Sequence, residues 1–162
     1  MSFIFRIYKK GWKNVMSNDI REEISQSLKI FIALSRVQRS IMDTTNKYIQ
    51  GNGLNPTEFA VLELLYHKGS QPLQQIGERI LIASGSITYV VDKLEKKGLV
   101  KRTPCPNDRR VIYAELTEDG TMLIDSIFPN HERLIHQSFE MLTKEEKAEL
   151  LTLLKKIGKY EK

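Results

Sequence analysis

At 162 residues and 41% hydrophobic, the chain is long enough for one domain with a real core, and it has no apolar run able to span a bilayer. Its one cysteine, Cys105, excludes an intrachain disulfide and a cysteine-based metal cluster. The net charge of +5 is unevenly spread: residues 68–110 carry nine Lys or Arg against four Asp or Glu, the footprint of a nucleic-acid binder.

Residues 1–16, MSFIFRIYKKGWKNVM, hold four basic residues and no acidic one. Their apolar-basic pattern suits a membrane surface or a DNA arm. The preferred reading is an ill-ordered basic leader, with Met16 as an alternative start. No signal-peptide h-region or small-residue cleavage site is present, so a cytoplasmic protein with no membrane partner is expected.

A long helix is predicted from about Asn18 to Gln50. Ser17 or Asn18 can cap it, and Glu22 and Glu23 lie at the end where the helix dipole favours them. Ile24, Leu28, Phe31, Ile32, Leu34, Ile41 and Tyr48 form a stripe at helical spacing, and Gly51-Asn52-Gly53 ends it. So long a helix cannot bury its apolar face within so small a domain. The face implies a partner helix from a second chain, and residues 17–53 read as an N-terminal dimerisation helix.

Residues 54–116 read as a DNA-binding domain. Asn55 as cap, Pro56 at the first helical position and Glu58 two residues later give a capping box, with Leu54 and Phe59 as a hydrophobic staple. This bracing helix ends near His67-Lys68-Gly69, and Gly69-Ser70-Gln71 reads as a linker. A short helix follows from Leu73 to Leu81, with Leu73, Ile76 and Ile80 on its apolar side, then a turn through Gly85. In the next helix Ile87, Val91 and Leu94 share one face, with Val90 beside them. The opposite face carries Ser84, Ser86, Thr88, Tyr89, Asp92 and Lys93. Short hydroxyls, an aromatic and a cation suit a helix lying in the major groove. Ser84 is also the N-cap candidate, and Lys96-Lys97-Gly98 is a stop signal.

Strands are predicted at Leu99–Thr103 and Val111–Leu116, flanking the polar loop PCPNDRR. Arg109 and Arg110 sit near its tip, where an arginine can reach a phosphate or a narrow minor groove. The fold class is therefore mainly α (α+β): a winged helix-turn-helix with flanking N- and C-terminal helices forming a dimerisation bundle. Residues 117–162 supply the C-terminal dimerisation helices. Thr117-Glu118-Asp119-Gly120 opens one that runs past Phe128 with a kink expected at Pro129. Thr143 and Glu146 form a second capping box, and the last helix carries Leu150, Leu151, Leu153, Leu154 and Ile157. No P-loop, glycine-rich nucleotide fingerprint or Ser/His/Asp arrangement stands out. His67, His131 and His136 do not match a metal pattern. No enzyme activity, cofactor or metal is expected.

The run SITYVVDKLEKKGLVKR, followed by NDRR and LTEDG, resembles the MarR family (multiple antibiotic resistance repressors), and the likeness extends over roughly Ile20 to Ile157. The family's D-x-R wing motif is matched by Asp108-Arg109-Arg110. By this resemblance Asp108 orients the wing and Arg110 enters the minor groove, while Ser84, Ser86, Thr88, Tyr89 and Lys93 face DNA. The resemblance implies a homodimeric repressor on a pseudo-palindromic operator in double-stranded DNA. It also implies release by a small lipophilic or aromatic effector, such as a phenol, held between bundle and reading unit. Phe31, Tyr48, Phe59 and Tyr66 are candidates to line that pocket, though each reads first as core. Within the family the chain looks closest to repressors of resistance to phenolic and quinone compounds.

Two alternatives stand beside this reading. One is a redox or electrophile-sensing repressor acting through Cys105, which lies in the wing near Arg109 and Arg110. Oxidant-sensing members of the family place their reactive cysteine near the start of the first long helix, where this chain has none. The other is a winged-helix protein-interaction module that does not bind DNA; the charge segregation and the wing arginines argue against it.

Overall fold

The computed structural model describes residues 18–80, 84–108 and 110–158, with the side chains of Ser84 and Gly85 excepted. The basic leader, Leu81–Ala83 of the turn expected from Leu81 to Gly85, and Arg109 lie outside the described residues. The element order is α1 (Asn18–Gly51), α2 (Pro56–Lys68), β1 (Gln71–Pro72), α3 (Leu73–Arg79), α4 (Ser84–Lys96), β2 (Val100–Pro104), β3 (Ile112–Leu116), α5 (Glu118–Ser138) and α6 (Lys144–Gly158). This is a winged helix-turn-helix with long flanking helices. The chain divides within α1, between Met42 and Asp43, into two compact units.

In the first unit, α1 exposes Ile30, Phe31, Leu34 and Val37 along a helix that shows no Pro or Gly before Gly51. In the second, Thr45 and Ile49 are buried. The core there draws Val61 and Leu62 from α2, Ile76 from α3, Ile87, Val91 and Leu94 from α4, Val100 from β2 and Ile124 from α5, all fully buried. Each such side chain contributes roughly 1.5–3 kcal/mol by leaving water. The three α4 members are the ones whose spacing predicts a common face, so the core fixes which face of that helix turns outward.

Both expected capping boxes are present. Asn55 Oδ1 accepts from the Glu58 N–H at 2.8 Å and Glu58 Oε2 accepts from the Asn55 N–H at 2.9 Å. Glu146 Oε2 accepts from the Thr143 N–H at 2.8 Å and Thr143 Oγ1 from the Glu146 N–H at 3.2 Å. Each pair satisfies two backbone donors that a helix start leaves unpaired. Yet α6 buries none of its residues and exposes Leu151, Leu153 and Ile157.

Two expectations need correction. The segment read as a linker supplies a strand: Gln71–Pro72 pairs antiparallel with β3, giving the sheet order β1-β3-β2. Proline is tolerated there because β1 is an edge strand, where a missing N–H breaks no ladder. The wing strands begin one residue later than expected, at Val100 and Ile112. Leu99 instead belongs to the turn, which Gly98 makes by adopting φ 74°, the left-handed region that glycine enters without steric cost.

Candidate nucleic-acid interface

The outward face of α4 is polar and open. Ser86, Thr88, Tyr89 and Lys93 are exposed, while Ile87, Val90, Val91 and Leu94 are buried beneath them. Lys93 Nζ lies 4.7 Å from the centroid of the Tyr89 ring, so aromatic and cation form one patch. The backbone of Ser84 places it in the first turn of the same helix.

Asp108 is a hydrogen-bond acceptor within the wing loop. Its carboxylate accepts two bonds from the Arg110 guanidinium, from Nε and Nη2, each at 3.0 Å, and a third from the Arg110 N–H at 3.0 Å. The Arg110 hydrogen bonds hold the Asp108 carboxyl below the usual carboxylate range. The guanidinium is nevertheless solvent-facing, with the side chain 90% exposed. A Val111 N–H bond to the Asp108 carbonyl and a Cys105 N–H bond to the Val111 carbonyl, both 2.9 Å, close the loop. Cys105 is half-buried within it. A cleft of about 890 Å³ opens between α3, Thr88 of α4 and the wing, lined among others by Gln74, Gln75, Arg102, Arg110 and Tyr113. Thr88 and Arg110 thus border one concavity.

Polar contacts that the sequence does not announce tie these parts together. Arg102 of β2 reaches back to α4. Its Nη2 lies 2.5 Å from Asp92 Oδ1 and 3.1 Å from the Thr88 carbonyl, and its Nη1 lies 3.5 Å from Glu95 Oε2. Asp92, assigned by its spacing to the DNA-facing side, is therefore held in an intramolecular ion pair. At the other end of α4, Lys97 donates to Glu58 Oε2 at 2.9 Å and to the Gly53 carbonyl at 3.0 Å. Burial pushes the Glu58 carboxyl up, but the Lys97 bond, the Asn55 N–H and the Lys97 and Lys93 charges outweigh it and hold it below its ordinary value.

The start of α5 clasps the turn before the wing. Thr117 Oγ1 donates to the Gly98 carbonyl at 2.6 Å and accepts from the Gly120 N–H at 3.0 Å, while the Thr117 N–H donates to the Leu99 carbonyl at 3.1 Å. Gly120 lies so close that a Cβ there would overlap the Leu99 carbonyl oxygen. The LTEDG run marks this helix start; the need for its glycine is visible only once Leu99 is placed.

Of the four aromatic candidates, three converge on α5. Tyr48 donates to the Ile127 carbonyl at 3.1 Å and Tyr66 to Asp125 Oδ1 at 2.6 Å. The Asp125 hydrogen bond holds the Tyr66 hydroxyl above its ordinary pKa. Phe59 is buried, its ring centroid 4.6 Å from that of His131, and Phe128 lies 6.2 Å from Tyr66 and 6.3 Å from His131. Phe31 lies in the other unit and is exposed. Burial holds His131 below its ordinary pKa, against the opposing charges of Glu63 and Glu132.

Comparison with known proteins gives consistent results. The MarR family model matches residues 54–112. The chain is 59% identical over 133 residues to the HTH-type transcriptional regulator MhqR of Bacillus subtilis (strain 168), covering 82% of this chain and 92% of that protein. Among solved structures, NadR in complex with 4-hydroxyphenylacetate is 26% identical with a TM-score of 0.68, covering 82% of this chain and 94% of that one. A mutant MarR from E. coli complexed with operator DNA superposes with a TM-score of 0.73 at 24% identity, covering 82% and 95%.

Proposed function

The chain belongs to the MarR family of transcriptional regulators, and on that premise we propose that it acts as a homodimeric repressor released from its operator by a small aromatic or phenolic ligand. The observation that carries the DNA-binding part is the open face of α4 flanked by an arginine that Asp108 holds at the wing. Ser84, Ser86, Thr88, Tyr89 and Lys93 serve as the major-groove contacts. Arg110, oriented by Asp108 and accompanied by Arg109, serves the minor groove. Two copies of α4 would enter successive major grooves about 34–36 Å apart on a pseudo-palindrome.

Dimerisation is supported by the apolar side chains that α1 and α6 leave exposed, of which Phe31 is 64% and Ile157 63% accessible. Obligate interfaces cover such surfaces. The proposed effector site is lined by Tyr48, Phe59 and Tyr66. Its support is the convergence of these three on α5 and the aromatic ligand of NadR. A ligand there acts by binding better to a conformer whose two reading helices are wrongly spaced.

The test is a salt-varied titration of the protein on duplex DNA from upstream of its own gene, beside a scrambled duplex of equal length. Site-selective binding of two protomers, weakening steeply with salt, is expected. Equal affinity for both duplexes would refute the proposal.

A further inference from the structure

The charge on α4 is not all favourable to DNA. Asp92 and Glu95 stand on the helix that carries Lys93, and each keeps a side chain 43% accessible. A carboxylate beside a phosphate repels it, and through the low-dielectric edge of a protein that repulsion is poorly screened. Both carboxylates have the same partner. Arg102 is only 25% accessible, sits opposite the buried Ala114 in the sheet and spans one stripe of α4 through the Thr88 carbonyl, Asp92 and Glu95. These positions follow at i, i+4 and i+7, so one planar guanidinium covers two turns of one helical face. Among the described residues its Nε is buried without a partner. The group is thus committed to the protein side and is not held out to solvent as Arg110 is.

We infer that Arg102 is a positioning residue for DNA binding: it acts through Asp92 and Glu95, cancelling their charge and fixing α4 against the wing strand. This rests on the DNA-binding reading above and adds a residue that works without touching DNA.

The test is a double-mutant cycle on operator affinity in the full-length protein. Its corners are wild type, Arg102→Met, Asp92→Asn/Glu95→Gln, and the three changes together. Thermal unfolding is followed in parallel. Arg102→Met uncovers both carboxylates and is expected to weaken operator binding by on the order of tenfold to a hundredfold. The amide substitutions are expected to change affinity little while Arg102 is present, and to recover most of the loss in the Arg102→Met background. A clamp that only stabilised the fold would move the unfolding midpoint and leave the affinity of the folded protein alone; that result overturns the inference. Additive effects overturn it too, because an arginine contacting phosphate directly is not rescued by changes to Asp92 and Glu95. Where Arg102→Met does not fold, Arg102→Lys supplies the same corner: its single ammonium lacks the fork that reaches both carboxylates, and the same coupling is expected on a smaller scale. Failure of wild type to discriminate operator from scrambled duplex is a different result, and it removes the DNA-binding reading itself.

Discussion

Replacing Gly120 with alanine sets two physical effects against each other with opposite signs. Helix propensity alone favours alanine by at most about 1 kcal/mol, since Gly120 lies in the first turn of α5. The packing opposes it. The new Cβ would overlap the Leu99 carbonyl oxygen and stand 3.0 Å from the Leu99 carbonyl carbon and 3.3 Å from Leu116 Cδ2. The obstacle is mostly backbone, so no rotamer change relieves it. Either α5 or the turn at Gly98-Leu99 must move, at roughly 1–3 kcal/mol for overpacking. The same movement stretches the bonds by which Thr117 holds the Gly98 and Leu99 carbonyls, at about 1 kcal/mol. After the propensity gain is subtracted, Gly120→Ala is expected to destabilise the protein by about 1–3 kcal/mol. In urea, with a slope of about 1–3 kcal/mol per molar, the midpoint falls by on the order of 1 M at unchanged slope. Because Leu99 leads directly into β2, operator affinity should fall as well. A midpoint equal to or above wild type would show that the close approach is absent and that propensity decides.

Other outcomes follow from the same contacts. Arg110→Ala should lower operator affinity and reduce the magnitude of the slope of log affinity against log salt by about one; an unchanged slope would mean that Arg110 does not meet a phosphate or groove. Lys97→Met leaves Glu58 buried without its cation. Since Lys97 is itself 39% exposed, the cost in chemical denaturation is about 1–3 kcal/mol, below that of a fully buried pair. His131 has a lowered pKa in the fold, so the unfolded chain binds its proton first and stability falls as pH drops below about 6.5. Glu58, also lowered, contributes stability above about pH 4.3 that disappears as pH falls through its folded value. His131→Gln should abolish the upper of these two losses in unfolding midpoints measured across the range. Cys105→Ser should leave operator binding and the response to a phenolic effector unchanged; loss of the response would move the thiol reading ahead.

Most elements and their order were legible because they are punctuated locally. Asn55-Pro56 with Glu58, Thr143 with Glu146, and Lys96-Lys97-Gly98 are signals that act within one helical turn, and the backbone obeys them. The buried face of α4 was legible for a similar reason: Ile87, Val91 and Leu94 repeat at the period of the helix they form. The strand at Gln71–Pro72 was not. Two residues carry no alternation, and their pairing is decided by Tyr113 and Ala114, some forty residues on.

The polar contacts that position the interface escaped the sequence for a further reason. Periodicity tells which residues turn outward, and outward is easily read as free. Asp92 is outward, yet its charge is taken by Arg102 on a strand that passes back along the helix. Glu58 reads as a capping residue and is one, but its second role, binding Lys97, ties the start of α2 to the end of α4. Gly120 reads as a helix-start residue, while its size is dictated by Leu99. In each case the missing information is a contact between distant segments, and in each case one of the segments is α4 or the turn that leads from it into the wing. On the proposed function, residues named from the open face of α4 are therefore only part of the DNA-reading machinery. The other part is the set of side chains that keep this helix at a fixed angle, and substitutions there should weaken binding although none of them reaches a base.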